Sequence, residues 1–210
     1  MQLFWTPASP FTRKVCIAAK ETGQWDDIDV RPTTWPLEWG YRTVPFTPGL
    51  AEANPLARIP TLVTDDGDAL GDSTLACLYL DQRAGGALTP GGADVWRMWS
   101  LYGVADGLIE AQIAMRAEML RPDLARSSAF LGKQGDRIGR CFDEIERRTQ
   151  ELGGKVDLAQ ITVGVACGYQ LWRDWLEDWR PSHPRLARWY EAFAERPSMI
   201  ETAPAETPER

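Results

Sequence analysis

Apolar and polar positions keep two rhythms along this chain, and the rhythm changes near residue 90. In the first part, short alternating runs are mixed with helical stripes. Residues 3–5 read as a strand and residues 7–10 as a turn. Residues 11–22 read as a helix with Phe11, Val15, Ala18 and Ala19 on one face, closed by Gly23. Residues 27–31 alternate as a strand. Residues 32–55 follow no period and are rich in Pro, Gly and Trp, which predicts a binding loop with one short helix. Residues 61–64 and 68–70 read as strands around the turn Asp65-Asp66-Gly67. Residues 73–83 read as a helix capped by Asp72.

After this point the pattern is helical throughout. Residues 84–92, Ala-Gly-Gly-Ala-Leu-Thr-Pro-Gly-Gly, form a linker. Helices are expected over residues 93–120, 127–152, 158–179 and 184–195. Trp172, Trp175 and Trp179 fall on one stripe of the third, where core packing is the better account. The tail from Thr202, with Pro204 and Pro208, is expected to lack fixed structure. The order βαβ, ββα, then helices predicts an α/β domain over residues 1–83 and an all-helical domain over residues 93–201.

Composition narrows the function. The 210 residues suit one large domain or two small ones, and 44% hydrophobic with 25% charged residues fits a water-soluble core-forming chain. The net charge of −7 argues against a nucleic-acid partner. No apolar run approaches the ~20 residues of a membrane span, and the first residues lack the charged start and apolar core of a signal peptide. A cytoplasmic address follows by default. Cys16, Cys77, Cys141 and Cys167 are scattered, which indicates neither a metal site nor a disulfide framework; Cys16, Cys77 and Cys167 sit in apolar helical context and read as buried reduced thiols.

Three local signals carry chemistry. Ala8-Ser9-Pro10-Phe11-Thr12-Arg13 opens the first helix, and a helix N-terminus stabilises an anion through free N–H groups and partial positive charge. Asn54-Pro55-Leu56-Ala57-Arg58-Ile59-Pro60-Thr61 precedes the third strand. Gly71-Asp72-Ser73-Thr74 opens the helix after the hairpin. Taken together these segments resemble the cytosolic glutathione transferases over nearly the whole chain, in particular bacterial-type members with Ser at the active-site turn.

The resemblance implies a thioredoxin-like domain that binds glutathione, followed by a helical bundle that helps shape a second-substrate pocket. Ser9 would be catalytic, its hydroxyl donating to the glutathione sulfur; a plain helix cap is the alternative account. A free thiol titrates near ~8.5, so lowering its pKa by about two units needs roughly 2.7 kcal/mol of preference for the thiolate. One hydrogen bond to a charged group gives ~1.5–3 kcal/mol and a helix end ~0.3–2 kcal/mol, so no general base is required. The family implies that the Ile59-Pro60 bond is cis and that Ile59 pairs with the cysteinyl part of glutathione as an added strand. Asp72 and Ser73 would hold the γ-glutamyl end; an ordinary Asp cap is the alternative. Arg58 matches a position near the ligand, though surface solvation accounts for it equally well. Arg42 is the candidate for the glycyl carboxylate.

Trp35, Tyr102 and Asp106 are candidates for the second-substrate pocket; Tyr102 and Asp106 share a helix face. The loop 32–52, with Trp35 and Trp39, is longer than the family pattern. Asp157 with Gln160 resembles the family's buried capping box, with the residue types swapped. The resemblance further implies a homodimer, a small hydrophobic electrophile as second substrate, a detoxifying role, and glutathione as co-substrate with no bound cofactor or metal.

Rival readings fare worse. The lone histidine, His183, and the absence of a Gly-x-Ser-x-Gly elbow exclude a Ser-His-Asp hydrolase. The turn holds Ser9 where a thioredoxin-type oxidoreductase, or an enzyme using its own cysteine, needs a thiol. A transferase-fold binding or regulatory protein, and a glutathione-dependent isomerase or dehalogenase, stay open.

Overall fold

The computed structural model describes residues 1–33 and 47–206. By their contacts these residues fall into two units, one of residues 1–33, 47–90 and 196–206, the other of residues 91–195. The first holds a four-stranded sheet in the order β2-β1-β3-β4, with β1 (Gln2–Trp5), β2 (Asp29–Pro32), β3 (Thr61–Val63) and β4 (Ala69–Leu70). β1 runs parallel to β2 and antiparallel to β3, and β3 runs antiparallel to β4. The helices are α1 (Pro10–Glu21), the short α2 (Leu50–Ala53) and α3 (Ser73–Arg83). This is the thioredoxin-like arrangement the sequence predicts.

Alternation along the strands builds the core. Leu3 and Leu62 are paired and fully buried, while Phe4, one residue on, packs with Leu50 and Ala57 on the opposite face. α1 buries Val15, Cys16, Ile17, Ala18 and Ala19, and ends where Gly23 takes a φ of 69°. The second strand begins at Asp29 rather than 27, because residues Trp25–Asp27 form a 3-10 turn that closes on α1. At the far end of α3, buried Asp81 accepts from the Leu88 N–H and the Thr89 hydroxyl, which pins the start of the linker.

The second unit holds α4 (Asp94–Met119), α5 (Ser128–Arg147), α6 (Leu158–Trp172) and α7 (Pro184–Ala194). α6 is buried on nearly every side, which matches its apolar sequence. Asp157 caps it by accepting the Gln160 N–H at 2.8 Å. The Gln160 amide also donates to Lys155 O at 2.9 Å, beside the cap. The third expected helix stops at Trp172, seven residues early. Gln170 donates to Glu177 O and Trp179 Nε1 to Cys167 O, and these bonds fold residues 173–179 back against the helix. Trp175 and Trp179 therefore leave the expected stripe, and Trp179 stacks on Phe142 with ring centroids 5.3 Å apart.

Another correction concerns the chain's last described part. Residues 196–201, expected within the helical domain, belong to the first unit, where Pro197–Glu201 forms α8 and packs on α1. Thr202 is also held, by Arg13. Glu21 of α1 accepts a fork from Arg196, 2.9 Å from Nε and 2.7 Å from Nη2, and the Ser198 hydroxyl.

The Arg196 fork, aided by Ser198, holds the Glu21 carboxyl below the usual carboxylate range against an opposing push from burial. A depressed folded pKa stabilises the fold above the unfolded value, about 4.3, and that stabilisation is lost as pH falls through the lower folded value. Glu21→Gln is expected to cost about 1–2 kcal/mol at neutral pH and to flatten the acid limb of the stability profile, as read by calorimetry across pH.

Candidate functional site

Sheet register gathers three of the sequence signals at one end of the first unit. Phe4 pairs with Thr61, so the turn that follows β1 lies beside the residues that enter β3. Leu62 pairs with Leu70, which brings the residues leaving β4 next to the same entry. Ser9, the Ile59-Pro60 bond and Asp72-Ser73 thus share one edge.

Ser9 is the N-cap of α1, with φ −92° and ψ 121°. Pro10 follows it at the first helical position, where a missing N–H costs nothing. The Ser9 Oγ accepts the Thr12 N–H at 3.3 Å, and its own O–H finds no acceptor among the described residues. No acidic residue sits in the first turn to cancel the helix's positive end.

The second segment is organised by Asn54, 5% exposed. Its Oδ1 accepts the Leu56 N–H at 3.0 Å, and its Nδ2 donates to Thr61 Oγ1 at 2.9 Å. Thr61 Oγ1 donates in turn to Arg58 O at 2.7 Å. These bonds fold residues 54–61 into a tight turn in which the Ile59-Pro60 bond is cis, as the resemblance implies. The side chain of Ile59 packs on the Phe4 cluster, and its backbone N–H and C=O have no partner among the described residues. Arg58 is exposed.

In the third segment Asp72 caps α3 through Oδ1 alone, accepting from Thr74 N at 2.8 Å and Leu75 N at 3.1 Å. Its Oδ2 has no partner among the described residues. Ser73 is 6% exposed. Gly71 lies against Asn54: a Cβ there would come 2.6 Å from Nδ2 and 2.9 Å from Cγ.

This edge offers a hydroxyl at a helix N-terminus, an unpaired backbone N–H and C=O, and a carboxylate at a second helix N-terminus. That set suits an extended peptide bearing a thiol or other anion. A family model for the glutathione S-transferase N-terminal domain matches residues 3–88. A glutathione transferase family member from Pseudomonas fluorescens Pf-5, solved with bound glutathione, is 35% identical over 98% of this chain and 99% of its own, with a TM-score of 0.88. The chain belongs to the glutathione transferase family.

The same Pseudomonas protein was also solved with S-(propanoic acid)-glutathione, at 34% identity over 98% of this chain and 100% of its own, with a TM-score of 0.85. The uncharacterized GST-like protein YibF of Escherichia coli (strain K12) is 28% identical, covering 97% of this chain and 98% of that protein.

The remaining sequence candidates are spread more widely. Trp35 and Arg42, with Trp39, lie outside the described residues. Tyr102 and Asp106 lie on α4 of the second unit, where Tyr102 is 5% exposed and meets Trp99 edge-on at 5.0 Å. Cys16, Cys141 and Cys167 are poor nucleophiles. Burial pushes Cys16 up to about 12 and raises Cys167 well above its ordinary value; Cys141, half-buried, is raised for the same reason. Asn54 and Gly71 stand within the motifs with no role that the motifs themselves assign. An Asn-Pro pair at a helix end and a Gly directly before the Asp cap were the available signals.

Gly71→Ala is expected to push Asn54 off its bonds and cost about 1–3 kcal/mol of stability in denaturant unfolding. In an Asn54→Gly background the same change should cost far less, a coupling that a double-mutant cycle reads directly.

Proposed function

We propose that this family member is an enzyme that binds glutathione at the α/β edge, holds it as the thiolate, and transfers it to a small hydrophobic electrophile. The observation that carries the reading is the Ser9 hydroxyl, whose oxygen serves the helix cap while its hydrogen stays available. A sulfur placed beyond it accepts that hydrogen and meets the positive end of α1. The two together reach the roughly 2.7 kcal/mol that a two-unit pKa drop requires.

The other residues orient the peptide. Ile59, beside Pro60, offers its free N–H and C=O to the cysteinyl backbone, and Asp72 with Ser73 takes the γ-glutamyl ammonium and carboxylate. Arg58 supplies positive charge nearby. We assign Tyr102 and Asp106 to the electrophile's side. The thiolate lone pair forms the C–S bond while the leaving group departs with its electron pair, or an activated double bond takes the electrons and then a proton from water. Proximity supplies part of the rate and thiolate stabilisation the rest. The reading includes a cytoplasmic homodimer with a detoxifying role and no bound cofactor.

The test is retention on immobilised glutathione, then turnover of a generic aromatic electrophile. Ser9→Ala is expected to keep binding and lose about 10- to 100-fold in kcat/KM at neutral pH, the value of one charge-assisted hydrogen bond. Retention without turnover in the unsubstituted protein would favour a binding or regulatory role; a lack of retention would overturn the reading.

A further inference from the structure

The segment after α7 returns to the first unit and runs along α1 as a strap. At the last turn of α1, Glu21 takes the Arg196 fork and the Ser198 hydroxyl, and Lys20 Nζ donates to Glu201 Oε2 at 2.6 Å. At the first turns, the Arg13 guanidinium reaches the strap's other end. Its Nη2 donates to Met199 O at 3.0 Å and its Nε to Thr202 Oγ1 at 3.4 Å. Arg13 is 7% exposed and Met199 2%. Thr202 Oγ1 donates onward to Ser198 O at 2.7 Å, so the receiving end is itself ordered. The charged groups at this seam are Arg13, Lys20 and Glu21 from α1 and Arg196 and Glu201 from α8.

The two ends of the strap have different consequences. Glu21 ties down the end of α1 that lies away from the candidate site. Arg13 sits four residues after Ser9, and its N–H donates to Ser9 O at 3.0 Å, so it closes the turn on which Ser9 stands. The Ser9 cap bond to Thr12 is long, 3.3 Å. A weak cap leaves the hydroxyl's direction to whatever else fixes that turn, and hydrogen-bond strength falls steeply with misalignment.

We propose that Arg13 is a positioning residue for Ser9: anchored to residues 199–202, it holds the first turn of α1 so that the Ser9 hydroxyl points at the glutathione sulfur. This rests on the function proposed above. It makes the chain's C-terminal strap part of the active site's support.

The experiment is the pH titration of the bound glutathione thiolate by its ultraviolet absorbance, with kcat and KM for glutathione, in the wild-type protein and in Ser9→Ala, Arg13→Gln, Arg13→Lys, Thr202→Val and Glu21→Gln. Arg13→Gln is expected to raise the thiolate pKa by about one unit, from about 6.5 to about 7.5, roughly a threefold loss of thiolate at pH 7. Its kcat at neutral pH should fall by a similar factor and recover at high pH, with KM for glutathione changed little. Arg13→Lys keeps the charge but loses the fork, and should follow Arg13→Gln. Thr202→Val keeps Arg13 and removes one anchor, and should shift the pKa in the same direction. Glu21→Gln should lower the melting temperature and leave the thiolate pKa unchanged.

A wild-type thiolate pKa in Arg13→Gln overturns the inference, and so does one in Arg13→Lys, which would make the effect one of charge. An equal rise in Glu21→Gln overturns it too, as general loosening. If Arg13→Gln does not fold, Thr202→Val decides: an unshifted pKa contradicts the proposal. Should Ser9→Ala leave the thiolate untouched, the Ser9 reading falls and this one with it; if Ser9→Ala loses the thiolate and the Arg13 variants do not, only this one falls.

Discussion

Backbone pairing of Phe4 with Thr61 and of Leu62 with Leu70 decides where every working part of the α/β unit ends up. A one-residue slip in either pairing would turn Leu3 or Leu62 out of the core, and both are fully buried. Core burial therefore fixes the register, and the register in turn carries the start of α1, the entry to β3 and the start of α3 to one edge. The candidate site needs no separate assembly energy. Asn54 completes it by tying residues 56, 58 and 61 together behind the Ile59-Pro60 bond, in space that Gly71 leaves open.

At that edge the choice between oxygen and sulfur chemistry is made by position. Cys16 lies two turns into α1, buried, with its thiol pushed up to about 12, and cannot offer a thiolate. Ser9 lies at the cap, where its hydroxyl can accept from the helix and still donate outward. On the proposed function, the protein keeps its own sulfur silent and stabilises a sulfur brought by glutathione. The Arg13 proposal makes the acidity of that ligand depend on how firmly the first turn is held, and so joins the strap of residues 196–202 to the chemistry.

Much of this was legible in the sequence because it rests on local rules. The caps Ser9, Asp72 and Asp157, and the stop at Gly23, follow from side-chain chemistry at helix ends. Strand alternation around the Asp65-Asp66-Gly67 turn gave β3 and β4 to within a residue or two. The late start of β2 is local, since Trp25–Asp27 form a 3-10 turn; the larger differences are long-range. α6 stops at Trp172 because Trp179 and Gln170 bond back across the turn, while the Trp spacing keeps a helical period beyond it. α8 was hidden because its partners, Arg13 and Glu21, lie some 180 residues earlier. Tyr102 and Asp106 were placed on α4 as expected, yet their spacing alone assigned them no ligand.

The most direct measurement is a crystal structure with glutathione bound. The sulfur is expected within hydrogen-bond distance of Ser9 Oγ at the start of α1, with the cysteinyl backbone paired to Ile59. A sulfur directed away from Ser9, or a peptide that leaves the Ile59 N–H and C=O unpaired, would contradict the proposed function.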